Sequence, residues 1–196
     1  LTLLALSFTW ASYAQTTYIH AGRLIDVKNK KVLTEQTIVV EGGTILSVSA
    51  GYQTPTKGVT VLDLKKATVM PGLMDMHVHI ENQTSPTRYA DGFRDNEADV
   101  AYKALPYAHI TLMAGFTTVR DMGGTGVNIA LRNAINSGLV VGPRIYTAGK
   151  SIAPTGGHAD PTNGVKRELM GDPGPESGVI NGPYDARKAV RQAVKY

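Results

Sequence analysis

The chain has 196 residues, of which 42% are hydrophobic and 18% charged, a composition typical of a globular protein with a sizeable core. Its net charge of +4 comes without a basic block or basic residues interleaved with aromatic ones, which argues against a nucleic-acid-binding protein. Cysteine is absent, so disulfides and thiolate metal sites are excluded, and any metal must be held by histidine, carboxylate or modified lysine.

Residues 1–14 have the features of a signal peptide. They carry no charge and contain an apolar run at residues 3–8, and the small residues Ser12 and Ala14 suit cleavage after Ala14. The run is well short of the ~20 residues of a membrane span, and the basic segment that normally opens a signal peptide is missing. The alternative is an apolar first strand. We predict an exported protein, destined for a periplasm, with no membrane span after cleavage.

Residues 15–70 are predicted to form a small β-sandwich domain. Gly42-Gly43 stands between two runs rich in β-branched residues and predicts a hairpin, because a tight primed turn needs positive φ angles. His20 is interpreted as structural. The predicted strands cover residues 18–27, 37–40, 44–48, 59–64 and 67–70.

Residues 71–196 change to a rhythm of strand followed by helix. Apolar residues recur with a period of 3.6 in the helical stretches, and Pro106 is expected to kink or split the first helix. Such repeats indicate parallel strands with right-handed crossovers. Predicted strands cover 72–80, 116–119 and 144–148, and predicted helices cover 97–113, 127–135 and a third from Ala186, after a long loop at 149–183.

About three βα units can be counted, whereas a complete (β/α)8 barrel needs at least roughly 200 residues. No Gly-x-Gly-x-x-Gly follows the first of these strands, so the dinucleotide-binding fingerprint is absent. The predicted fold class is α/β, the N-terminal part of a TIM-like (β/α)8 barrel preceded by the small β-sandwich layer.

His77 and His79 end the first strand of this second part. Side chains two residues apart in a strand point to the same face, so the two imidazoles can approach one cation. A bare His-x-His pair is more often two ordinary polar residues. Here an apolar run beginning with Pro71-Gly72 leads into the pair and a polar loop follows it, which favours a metal-ligand pair.

Three further polar residues have more than one possible role. Asp121 follows a strand end, but the adjacent Arg120 makes a structural pair or a supporting role as reasonable as catalysis. Asp75 is interpreted as packing or supporting His77. His158 follows two glycines in a loop, where it either binds a substrate carboxylate or is an ordinary surface histidine.

The sequence resembles the amidohydrolase superfamily over residues 18–196, and the resemblance rests on four motifs that occur in the same order. Together they are similar to the branch that contains imidazolonepropionase-like proteins and Xaa-Pro dipeptidase-type (prolidase-like) amidohydrolases. The motifs are VMPGLMDMHVH at 69–79, AGFTTVRDMGG at 114–124, GPRI at 142–145 and TGGH at 155–158.

The resemblance implies a metal-dependent hydrolase in which metal-activated water attacks an amide or peptide carbonyl. It implies one or two divalent ions, usually zinc, with His77 and His79 as ligands, and it favours a substrate-binding role for His158. The resemblance places the family's other ligands beyond Tyr196: a carboxylated lysine, later histidines and an aspartate that is also the proton shuttle. Lys195 precedes the position of that lysine and is given no role.

We therefore predict a metal-dependent amidohydrolase that hydrolyses a carbon–nitrogen bond of a small molecule or dipeptide. The alternatives are a cyclic amide hydrolase or deaminase built on the same barrel, or a non-catalytic truncated fragment. This chain by itself, a truncated barrel at 71–196, is expected to be inactive and to fold poorly, because three parallel strands leave an unpaired apolar edge. Whether the protein forms a homo-oligomer is left open.

Overall fold

The structure, a computed structural model, describes residues 15–196, and the signal peptide predicted for residues 1–14 lies outside them. Two compact units follow one another along the chain, the first ending at Pro71 and the second beginning at Gly72. None of the helices within residues 15–196 combines the length and apolar character that a membrane crossing requires.

The first unit is a single four-stranded sheet in the order β3-β2-β1-β4. Strand β1 pairs antiparallel with β2 and parallel with β4, and β2 pairs antiparallel with β3. Gly42 and Gly43, between β2 and β3, have φ angles of 55° and 80°, which confirms the predicted hairpin. The strands are β1 (Thr16–Asp26), β2 (Lys31–Glu41), β3 (Thr44–Ala50) and β4 (Thr60–Val69).

Strand β4 corrects the prediction of two separate strands at 59–64 and 67–70. The strand continues through the polar pair Lys65-Lys66, and the pairing of β1 with β4 accommodates a register shift between Ala21 and Arg23. A Cβ atom on Gly22 would collide with the Lys65 carbonyl, so a glycine is needed where the two backbones approach closely.

His20 is buried in this sheet, and its Nε2 atom lies 3.0 Å from the Gln53 carbonyl oxygen. Its ring centroid lies 5.3 Å from that of Tyr52, and its partner in the pairing with β2 is the buried Thr37. A buried, hydrogen-bonded position of this kind agrees with the structural interpretation of His20.

The second unit contains a parallel sheet in the order β5-β6-β7. Helical segments follow each strand, as the alternating pattern predicts. The strands are β5 (Leu73–Val78), β6 (Phe116–Asp121) and β7 (Arg144–Thr147), and the helices are α1 (Arg88–Arg94), α2 (Glu97–Met113), α3 (Val127–Asn136), α4 (Arg167–Met170) and α5 (Pro183–Lys195).

The helices differ from the predictions mainly in their number and bounds. Of the two outcomes predicted for Pro106, the split does not occur, because α2 runs without interruption from a capping box between Asn96 and Asp99. Helices α1 and α4 were not predicted, since both are too short for a 3.6-residue apolar repeat to be recognised. Helix α5 begins at Pro183 and not at Ala186, because proline is well suited to the first helical turn.

The core of the second unit lies between its sheet and its helices. Ala104 and Ala108 are fully buried on α2 and pack on the sheet residue Val119. A Cβ atom on Gly142, just before β7, would come within 2.6 Å of the Ile135 side chain of α3. Small side chains at these points let the helices lie close to the sheet, which holds the carboxyl ends of β5, β6 and β7 together.

Candidate metal centre

His77 and His79 lie side by side at the carboxyl end of β5. Their ring centroids are 5.5 Å apart and the ring planes meet at 69°. Two imidazoles bound through nitrogen to one tetrahedral zinc ion have centroids about 5 Å apart. Both residues are exposed, so the rings are open to an ion. The predicted pair is therefore brought together in a geometry that suits two donors of one cation.

The His79 ring is oriented by a single backbone group. Its Nδ1 atom lies 2.7 Å from the carbonyl oxygen of Gly123, which follows β6. A carbonyl oxygen can only accept a hydrogen bond, so Nδ1 must carry the proton. The lone pair then sits on Nε2, which becomes the nitrogen available to a cation.

The end of β5 is held by two side chains that sequence reasoning considered. Asp75 Oδ1 accepts a hydrogen bond of 3.0 Å from the His77 backbone N–H, in line with a supporting role. Arg120 Nε donates to the Met76 carbonyl oxygen at 2.7 Å. The ion pairs of residues 15–196 do not include one between Arg120 and Asp121, so the suggested structural pair is wrong.

Asp121 is instead the centre of a buried hydrogen-bond network. Its side chain is fully buried, with Oδ2 accepting from the Ile80 N–H at 2.8 Å. Its Oδ1 accepts from the Gly123 N–H at 3.0 Å and from Asn128 Nδ2 at 2.9 Å. A carboxylate that accepts from three donors and is closed to solvent is not available to substrate, which favours a supporting role over catalysis.

Glu81 is a second buried acid, and the sequence analysis did not single it out. Only 3% of its surface is exposed, and its two oxygens accept from the backbone N–H groups of Thr125 (2.7 Å) and Asn128 (2.5 Å). It therefore caps the start of α3, where unpaired N–H groups favour a carboxylate. A Cβ atom on Gly124 would collide with the Glu81 carboxyl group, which explains a glycine there.

A signal for Glu81 was present in the alternation His77-Val78-His79-Ile80-Glu81, which places an acid two residues beyond the second histidine. That alternation would have predicted a third donor on the metal face. The strand ends at Val78, however, and Glu81 turns to α3, so it takes no part in the histidine cluster.

His158 is exposed in the long loop, and its surroundings are well ordered by hydrogen bonds. Asp160, which is buried, accepts from Gly156 N–H at 2.7 Å and from the backbone and hydroxyl groups of Thr162 at 2.9 and 2.7 Å. These donors, the Gly156 N–H first among them, hold the pKa of Asp160 below its usual range. Within residues 15–196, no hydrogen bond or ring contact joins His158 to the histidine pair, and its substrate role stays a prediction.

The described residues provide two donors of a metal site. No group of three or more histidine and carboxylate side chains is positioned to hold an ion anywhere in residues 15–196. A catalytic zinc site uses three protein ligands plus water, so His77 and His79 fit part of such a site.

The sequence profile of the amidohydrolase family matches residues 68–196. A solved Xaa-Pro dipeptidase with methionine in its active site is 46% identical with a TM-score of 0.86, and the match covers 92% of this chain and 45% of the dipeptidase. Ochratoxinase from Aspergillus niger is 27% identical over 199 residues, covering 93% of this chain and 40% of ochratoxinase. Adenine deaminase from Desulforamulus reducens is 30% identical over 149 residues, covering 76% and 22% of the two chains.

The chain spans less than half the length of each of these relatives. The comparisons confirm the resemblance to the prolidase-like branch. They also confirm the predicted fold class, which is α/β, with about three βα units that correspond to the N-terminal part of a (β/α)8 barrel and a small β layer before them.

Proposed function

This chain belongs to the amidohydrolase family, and we propose that the protein containing it is a metal-dependent hydrolase that cleaves the carbon–nitrogen bond of an amide or dipeptide. Members of the family generally bind divalent metals. The observation that carries the proposal is the His77–His79 pair, with its rings 5.5 Å apart and the Nε2 lone pair of His79 left free by the Gly123 carbonyl.

When bound, a divalent cation in such a site acidifies a water molecule and polarises the carbonyl group under attack. His77 and His79 would hold the ion as neutral donors, and imidazole donors suit zinc. The Gly123 carbonyl keeps the proton of His79 on Nδ1, and the bonds at Asp75 and Met76 hold the strand end that carries both rings. The remaining ligands and the proton shuttle would come from parts of the protein outside this chain, which covers 45% of the dipeptidase.

A dipeptide or a related amide is the proposed substrate class. The likeness to a Xaa-Pro dipeptidase supports it. His158 would bind the substrate carboxylate, because it is exposed in a loop whose backbone is fixed by Asp160 and carries no hydrogen-bond partner of its own among the described residues. Deamination is the second candidate, supported by the likeness to adenine deaminase over a shorter part of the chain.

The proposal is tested on the full-length protein by metal analysis and by hydrolysis assays with Xaa-Pro dipeptides, N-acyl amino acids and adenine. We expect a bound divalent ion, loss of activity with a chelator and recovery with zinc. His77→Ala should lower both metal content and activity, the latter more than about 100-fold, because it removes a ligand.

The matched control is His109→Ala, which removes an exposed histidine from α2 and should leave both quantities unchanged. Ammonia release from adenine without dipeptide cleavage would favour the deaminase. Full activity and metal content in His77→Ala would contradict the proposed function.

A further inference from the structure

The turn that follows β6, residues 121–124, connects a buried carboxylate to one ring of the metal centre. Asp121 Oδ1 accepts a hydrogen bond of 3.0 Å from the Gly123 N–H. The carbonyl oxygen of the same glycine accepts the His79 Nδ1–H at 2.7 Å. Because one residue makes both bonds, the place of the carboxylate sets the place of the carbonyl that orients the ring.

Asp121 also holds the backbone beside His79 directly. Its Oδ2 accepts the N–H of Ile80, the residue after His79, at 2.8 Å. One carboxylate therefore fixes both the main chain that carries His79 and the carbonyl that receives its ring proton. Asn128 Nδ2 donates to the same carboxylate from α3 at 2.9 Å. Water does not reach this bond, because the side chains of Asp121 and Asn128 are both fully buried.

The turn has little freedom on its other side. Gly123 has a φ angle of +152°, and a Cβ atom there would collide with the Ser151 hydroxyl. Ser151 Oγ in turn donates to the Met122 carbonyl at 2.8 Å. The turn is held between Asp121 and Ser151, and glycine is required where its carbonyl reaches His79.

We infer that Asp121 is a positioning residue for His79, which it acts on through the Gly123 turn by keeping the ring proton on Nδ1 and presenting Nε2 to a divalent cation. This inference rests on the proposed function, since it assigns a role toward the same metal. Partners of this kind, one step removed from a metal ligand, typically change metal affinity 10–100-fold when they are replaced.

The test uses full-length protein and Asp121→Asn, which keeps the shape but turns one acceptor oxygen into a donor facing an N–H group. The matched control is Asp160→Asn, because that carboxylate is also buried and accepts three hydrogen bonds, and within residues 15–196 none of them connects it to His79. Zinc affinity is measured by competition with a chelator. We expect Asp121→Asn to bind zinc about 10–100-fold more weakly and Asp160→Asn to bind it as the wild type does.

A second measurement follows the His79 ring itself. In cobalt-loaded protein, the Nδ1–H proton of a histidine bound through Nε2 gives an exchangeable, shifted resonance. Its exchange with solvent should be slow in the wild type and faster in Asp121→Asn. Ser151→Ala removes the hydrogen bond to the Met122 carbonyl and leaves Asp121 in place, and it should also speed this exchange. If Asp121→Asn does not fold, this variant tests whether the turn orients the His79 ring.

Equal zinc affinity and equal proton exchange in wild type and Asp121→Asn would overturn the inference while leaving the proposed function intact. Equal losses of affinity in Asp121→Asn and Asp160→Asn would overturn it too, since they would reflect general destabilisation. If Asp121→Asn is insoluble, unchanged exchange in Ser151→Ala would overturn it. A wild-type protein that binds no divalent ion would overturn both the inference and the proposed function.

Discussion

Replacing Glu81 with glutamine should loosen the start of α3 while leaving the shape of the buried site unchanged. The wild-type carboxylate accepts two backbone hydrogen bonds, from Thr125 at 2.7 Å and from Asn128 at 2.5 Å. A glutamine amide can accept only one of them, and its NH2 group would face the other donor.

The magnitude depends on which donor is left unpaired. Thr125 is exposed, so water can replace its partner, whereas Asn128 is fully buried and water cannot reach its N–H. An unsatisfied buried donor costs about 1–3 kcal/mol. A loss of about 2 kcal/mol would raise the equilibrium constant for local opening of this region roughly 30-fold, since every 1.4 kcal/mol is a factor of ten.

Hydrogen exchange of the full-length protein, followed by mass spectrometry, measures this change as a loss of amide protection in peptides that cover α3. Glu97→Gln is the matched control, because Glu97 lies in the first turn of α2 but is exposed and accepts none of the hydrogen bonds of the described residues. Its effect should stay below about 0.5 kcal/mol. Protection of α3 in Glu81→Gln within threefold of the wild type would refute the view that Glu81 caps this helix.

Two further predictions concern the loops beside the site. Gly124→Ala should destabilise the protein by about 1–3 kcal/mol, because the added methyl group collides with the Glu81 carboxyl group, whereas Gly92→Ala, with open space around it, should not; thermal unfolding of both variants checks this. Asp160 should stabilise the loop of His158 at neutral pH, because hydrogen bonds hold its pKa below the ordinary value. That stabilisation is present above about pH 4 and is lost as the pH falls through the lowered pKa, so limited proteolysis of the loop should rise below about pH 4, with no such pH dependence in Asp160→Asn.

The fold was largely predictable because its signals are local. The change from hairpin strands to alternating strands and helices near residue 71 follows from periodicity and glycine positions alone. The strand bounds were less predictable, because they depend on the pairing between strands. The predicted break between residues 64 and 67 does not occur, since pairing with β1 carries β4 through Lys65-Lys66, and the long, capped α2 is not split at Pro106.

The site was predictable only in part. His77 and His79 are two residues apart in sequence, so strand geometry alone places them together. The roles of Asp121 and Glu81 depend on backbone donors in a different βα unit, the Ile80 N–H for Asp121 and the Asn128 N–H for Glu81, and no pattern of residue types in one strand identifies such partners.

The sequence by itself determined that this chain carries a small β layer and, later in the sequence, a pair of strand-end histidines, because both features are set within a few neighbouring residues. Only the tertiary structure decided which nitrogen of His79 is free and which acids are committed to holding the backbone. Those assignments rest on hydrogen bonds between residues 41 to 47 positions apart. Such bonds form only when packing of the helices on the sheet brings the ends of β5 and β6 and the start of α3 together.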